Sequence, residues 1–152
     1  MVKEGNAAPA FKTTDANGEP VNLKDFRGKK VVLYFYPKDD TPGCTKEACS
    51  FRDAFSKFKK QGITILGVSP DSEKSHQKFT AKYNLPFTLL ADTDHSIADA
   101  YGVYGEKKFM GRTYMGIHRT TFLIDEKGKI KKVFEKVKPE DHADEVLGAF
   151  SG

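Results

Sequence analysis

Residues 31–62 read VVLYFYPKDDTPGCTKEACSFRDAFSKFKKQG, and they hold both cysteines of the chain. VVLYFYP (31–37) is an unbroken β-branched and aromatic run, the pattern of a strand buried on both faces. TPGCTKEACSFRDAFSKFKKQG (41–62) has a helical period: Thr41 is placed to cap it, Pro42 suits its first position and Gly62 its end. At about 100° per residue, Cys44, Ala48, Phe51, Phe55 and Phe58 form one apolar stripe. Cys49 lies roughly 140° away from Cys44, near Arg52, Asp53, Ser56 and Lys60. The expectation is a thiol pocketed in the first turn of a helix, with a second thiol facing water.

The flanking sequence extends this unit on both sides. GNAAPAFKTTDANGEPVNLKDFRGK (5–29) reads as a hairpin around an Asn-Gly turn. ITILGVS (63–69) is a second buried strand, and DSEKSHQKFTAKY (71–83) a helix that stops before Pro86. FTLLAD (87–92) is a third strand and SIADAYG (96–102) a short helix. After a Gly-rich stretch come strands TTFLID (120–125) and KIKKVFE (129–135), joined through Glu126, Lys127 and Gly128, and then the helix EDHADEVLGAF (140–150). Strands alternating with helices, then a hairpin and a last helix, predict an α/β, thioredoxin-like fold. Its mixed central sheet is flanked by helices, the N-terminal hairpin is an extension, and residues 1–152 form one domain.

With 38% apolar and 30% charged residues over 152 positions, the composition is that of a soluble globular protein. No apolar run reaches the roughly 20 residues that a membrane span needs. The start, MVKEGNAAPAF, shows neither a basic region nor an apolar stretch, so a cytoplasmic location is expected, or an organellar one if a transit peptide has been removed. The formal charge of +4 is spread along the chain. Its densest cluster, KGKIKK (127–132), reads as a solvated hairpin turn rather than a nucleic-acid patch. His76, His95, His118 and His142 are scattered without ligand spacing, and two cysteines five apart do not make a zinc site.

Two cysteines are too few for a disulfide scaffold, and a close pair points to redox or metal chemistry. At a helix N-terminus, unpaired N–H groups and the macrodipole favour a thiolate, which is the nucleophilic form. A small inert core cysteine would occupy the same position. Cys49 weighs against that reading. In an intact helix, residues five apart have Cα atoms about 8.7 Å from each other, beyond the roughly 7 Å that a disulfide spans. The pair can bond only after the first turns unwind, which fits a cycle better than a staple: Cys44 is oxidised to sulfenic acid and Cys49 condenses with it. A free, structural Cys49 is the alternative. Glu47 could orient an arginine, but is read as a first-turn acid suited to the dipole.

PKDDTPGC (37–44) has the pattern Pro-x-x-x-Thr-x-x-Cys, which resembles the active-site signature of the peroxiredoxins. TPGCTKEAC, with FTLLAD, GVYGEKKFMGRTYMGIHRTTFLID, APAF and LKDFRGKKVVLYFYP, is similar to the peroxiredoxin Q or bacterioferritin comigratory protein subgroup, over essentially the whole chain. The resemblance implies that Cys44 is the peroxidatic cysteine and Cys49 the resolving one. Thr41 would orient the peroxide, Pro37 would shield the thiolate, and Arg119 would stabilise it and polarise the substrate. It further implies hydroperoxide substrates, recycling by thioredoxin or a related dithiol protein, no metal or organic cofactor, no nucleic-acid or membrane partner, and a monomer. Two rival readings are a disulfide reductase, which normally spaces its cysteines two residues apart, and a non-enzymatic redox sensor or basic nucleic-acid binder. The aromatics and methionines of GVYGEKKFMGRTYMG form either an apolar rim for alkyl hydroperoxides or ordinary loop packing.

Overall fold

The apolar run at 31–37 sits at the heart of a seven-stranded sheet, in a computed structural model that describes residues 1–151. Residue 152 of the expected domain lies outside the described residues. Strand β3 (Lys30–Phe35) pairs in parallel with β4 (Ile63–Ser69) and antiparallel with β8 (Thr120–Ile124). Beyond β4 lies β5 (Thr88–Ala91), in parallel, then β1 (Lys12–Asp15) and β2 (Pro20–Asn22); beyond β8 lies β9 (Ile130–Phe134). The sheet is therefore mixed, as the short β8–β9 connection requires. Its N-terminal hairpin turns where Asp15 Oδ1 accepts from the backbone N–H groups of Asn17 and Glu19.

Side chains of β3 alternate between two buried layers. Val32, Tyr34 and Tyr36 face one layer with Ala48, Phe51, Phe58, Phe79 and Phe150. Val31, Leu33 and Phe35 face the other with Ile97, Tyr101, Ile117 and Phe122. The first layer is covered by helices α1 (Pro42–Asp53), α2 (Phe55–Lys60), α3 (Glu73–Tyr83) and α5 (His142–Ser151), the second by α4 (Ser96–Tyr101). Gly67 on β4 lets Tyr34 lie across the sheet: a Cβ there would come within 2.8 Å of the Tyr34 ring and of Leu89.

Three local expectations are corrected. The single helix over 41–62 is two segments, broken at Ala54, whose φ of −95° and ψ of 3° leave the helical region. Neither Gly nor Pro marks the break. Phe51 and Phe58 stay fully buried across it, Ala54 is buried and Phe55 is only partly so. Second, the Gly-rich stretch is a two-stranded ribbon, β6 (Tyr104–Phe109) and β7 (Arg112–Ile117), separate from the main sheet. Its turn places Met110 and Gly111 at φ of 51° and 78°, the left-handed pair of a tight hairpin. Phe109, Met110, Tyr114 and Met115 on it are exposed, whereas Tyr104 stacks on His95 and packs against the second core layer. Third, the Thr41 side chain makes no capping bond to the α1 backbone.

Candidate active site

β3 ends at Phe35, and the segment through Pro37 and Thr41 carries the chain into α1. Asp39 fixes that segment. Its Oδ1 accepts from the Tyr36 hydroxyl at 2.6 Å, and its Oδ2 lies 2.8 Å from Ser75 Oγ and 2.7 Å from His76 Nδ1. The Asp39 N–H donates to Asp71 Oδ2 at 2.8 Å, and Ser69 Oγ donates to the same oxygen at 2.6 Å. His76 is fully buried, and its Nε2 lies 2.9 Å from the Leu90 carbonyl oxygen. Asp39, Asp71 and His76 thus come together, with both ring nitrogens of His76 already engaged. Next in the chain, Asp40 sits at φ 57° and accepts from Lys82 Nζ and the Tyr83 hydroxyl, each at 2.7 Å. The Lys82 and Tyr83 bonds hold the Asp40 carboxyl below its ordinary range. The loop is therefore bolted to α3.

Thr41 Oγ1 donates to the Lys38 carbonyl at 2.9 Å, and the Thr41 carbonyl accepts from the Thr45 N–H at 2.8 Å. Pro42 and Gly43 follow as the first two residues of α1, and Cys44 is the third, 2% exposed. Pro37 is half-buried. Arg119 reaches the same place from the link between β7 and β8. Its Nη2 donates to Cys44 Sγ at 3.1 Å, and its Nη1 donates to Glu47 Oε1 at 2.6 Å. A planar guanidinium can hold two acceptors at once in this way, one on each arm. Burial works against the charge of Arg119, but Glu47 and Cys44 outweigh it and raise its pKa.

Glu47 corrects the expectation of a solvated dipole acid, because it is 0% exposed. Burial pushes its carboxyl up to about 7, against the opposing pull of Arg119. Its Oε2 and the hydroxyl of the fully buried Tyr34 have no hydrogen-bond partner among the described residues. Burial, then the charges of Glu47 and Cys44, hold Tyr34 well above its usual range. Lys107 of β6 donates to the Ile117 carbonyl at 2.9 Å, and its pKa is lowered first by burial and then by Arg119.

Cys49, expected to face water, is half-buried on the same intact helix. Both cysteines are free thiols. The structure thus brings Cys44, Arg119 and Glu47 into direct contact and leaves Cys49 a helical turn and more away. Sequence reasoning missed the support given by Asp39 and His76, since the histidine has no ligand spacing and only the fold places it under the loop.

A cysteine sulfur, a helix start and an arginine arm converge here. A family model for AhpC/TSA matches residues 5–133. The chain belongs to the AhpC/TSA family. It is 51% identical to peroxiredoxin Bcp of Escherichia coli K12 over 146 residues, 96% of this chain and 94% of that one. PrxQ of Xylella fastidiosa, solved as a cysteine-to-serine variant, superposes with a TM-score of 0.94 at 34% identity, covering 99% of this chain and 96% of that one. The bacterioferritin comigratory protein of Xanthomonas campestris gives 0.88 at 40% identity, covering 93% and 90%. That protein was solved as trapped intermediate and ligand complexes bearing on its alkyl peroxide reduction. This AhpC/TSA member has the thioredoxin-like peroxiredoxin fold, and its activity is that of a thiol peroxidase, an oxidoreductase. Among the described residues, no helix is long and apolar enough to cross a membrane.

Proposed function

We propose that Cys44 is the peroxidatic cysteine and Cys49 the resolving cysteine of a monomeric, single-domain peroxidase that clears hydrogen peroxide and organic hydroperoxides. The observation that carries the reading is Arg119 Nη2, 3.1 Å from Cys44 Sγ. A cation on the sulfur, together with the N–H groups of the first turn of α1, stabilises the thiolate and the charge that spreads along S···O···O during attack. The thiolate attacks the terminal peroxide oxygen, water or an alcohol leaves, and Cys44 becomes a sulfenic acid. Thr41, whose hydroxyl proton points to Lys38, offers its oxygen lone pairs to the incoming hydroperoxide. Pro37 limits water beside the sulfur. The start of α1 then unwinds, Cys49 condenses with the sulfenic acid, water leaves and a disulfide forms. Thioredoxin or a related dithiol reduces it, in the cytoplasm, without a nucleic-acid or membrane partner.

A peroxidase assay coupled to thioredoxin and its reductase tests this reading. Cys44→Ser is expected to have no activity. Cys49→Ser is expected to consume about one peroxide per chain and then stall, because no second sulfur resolves the sulfenic acid. Full coupled turnover by Cys44→Ser would overturn the assignment.

A further inference from the structure

One guanidinium serves two acidic groups in this site. Arg119 offers Nη2 to Cys44 Sγ at 3.1 Å and Nη1 to Glu47 Oε1 at 2.6 Å. Cys44 and Glu47 are three apart on α1, on one face of the helix. Glu47 is 0% exposed, and its second oxygen finds no donor among the described residues. A carboxylate held in this way would leave one charged oxygen buried and unpaired, which is costly; a carboxylic acid would not. Two full negative charges on one cation, in a dry setting, disfavour each other, so the pair tends to share one charge.

We propose that Glu47 holds a proton while Cys44 is a thiolate and gives it up when the sulfur is oxidised, so that the negative charge passes from one arm of Arg119 to the other. The inference rests on the peroxidatic role of Cys44. The step balances as follows. Cys44–S⁻, Glu47–COOH and ROOH yield Cys44–SOH, Glu47–COO⁻ and ROH. An S–O bond forms and the O–O bond breaks; sulfur loses two electrons and the peroxide gains them. The proton from Glu47 ends on the leaving alkoxide, and the site carries one negative charge before and after. When the disulfide is later reduced and the thiolate returns, Glu47 takes a proton back.

The surroundings fit this exchange. Tyr34, facing from β3, is kept neutral first by burial and then by whichever of Glu47 and Cys44 carries the charge. Arg119, facing from the β7–β8 link, stays cationic. Lys107 from β6 faces Arg119 and Cys44, His142 from α5 faces Arg119 and Glu145, and burial lowers the pKa of both. Glu47 itself, raised to about 7, is positioned to respond to the loss of charge on sulfur. Glu47 reaches the sulfur only through the shared Arg119 guanidinium, and it is also the source of the proton that ends on the leaving oxygen.

The test counts protons. In a Cys49→Ser background, one equivalent of hydrogen peroxide is added at pH 7 in weak buffer with a pH indicator, and sulfenic acid is counted with a dimedone-type trap. With Glu47 present, proton uptake from solvent is expected to be well below one per sulfenic acid; with Glu47→Gln it rises to about one, because solvent must then protonate the leaving oxygen. Infrared difference spectra of the Cys49→Ser protein provide a reading that does not depend on the folding of Glu47→Gln. Oxidation is expected to remove a protonated-carboxyl C=O band. Sulfenic acid formed with a full proton taken up while Glu47 is present, or with no carboxyl band lost, overturns the proposal. Failure to form sulfenic acid at all overturns the peroxidatic assignment instead.

Discussion

Cys44 and Arg119 were legible as residues, the first by its place at a helix start and the second by its motif. Glu47 was read too simply. Positions 44, 47, 48 and 51 follow the i, i+3, i+4, i+7 spacing of a buried helical face, so an acid at 47 required a partner. That partner lies 72 residues away, at a separation no local pattern bridges. Its burial has a measurable consequence for stability. The folded carboxyl titrates near 7 against an ordinary value of 4.5, so the folded state binds the extra proton. Unfolding between those pH values releases it, and stability falls as pH rises through the window. At 1.36 kcal/mol per unit, the loss amounts to about 3 kcal/mol. Glu47→Gln is expected to remove that slope, leaving the opposite one from His142, whose pKa is lowered by burial. Urea unfolding at pH 5 and pH 7 for both chains checks this, and identical pH slopes would refute it.

Most elements were legible because their periods were strong: β4 spans Ile63–Ser69, as its apolar run implied. The ribbon β6–β7 was not. Its strands carry Glu106, Lys107, Lys108 and Arg112 and bury little, so no alternation marks them, and its Met-Gly turn lacks the usual Asn-Gly signal. Nor did any breaker announce the junction at Ala54. The helix start is where an element-scale change should tell. Gly43 is the second residue of α1, and a Cβ there would sit 3.2 Å from Arg119 Nη2. Gly43→Ala strengthens the helix by up to about 1 kcal/mol while crowding the arm that holds the sulfur. Disulfide formation is expected to slow roughly five-fold, since the turn must melt first, and the initial oxidation to slow as well. Rapid-quench alkylation follows both steps; a faster disulfide step in the variant would contradict an unwinding requirement.

Over the whole molecule, the site is a product of topology. The sheet order that sets β8 beside β3 brings Arg119 to Cys44, and the packing of α3 over the β3 end brings His76 to Asp39. The sheet class was legible from alternating strands and helices, whereas these side-chain meetings were not, because each joins segments separated by several strands and helices. Asp39→Ala would strip an acceptor from Tyr36, Ser75 and His76 together. At 1–3 kcal/mol for a buried group left unpaired, a cost of about 3 kcal/mol is expected, or roughly 10 °C in melting temperature for a chain of this size. Calorimetry showing a shift within 2 °C would argue against the network as an anchor. The distance along the chain between sulfur and guanidinium has its own meaning during biosynthesis. Cys44 leaves the ribosome 75 residues ahead of Arg119, which at about 5–20 residues per second is roughly 4–15 s. Through that interval the nascent thiol lacks its cationic partner. On the proposed assignment, fast reaction with oxidants begins only in the completed fold, where Arg119 has reached the sulfur.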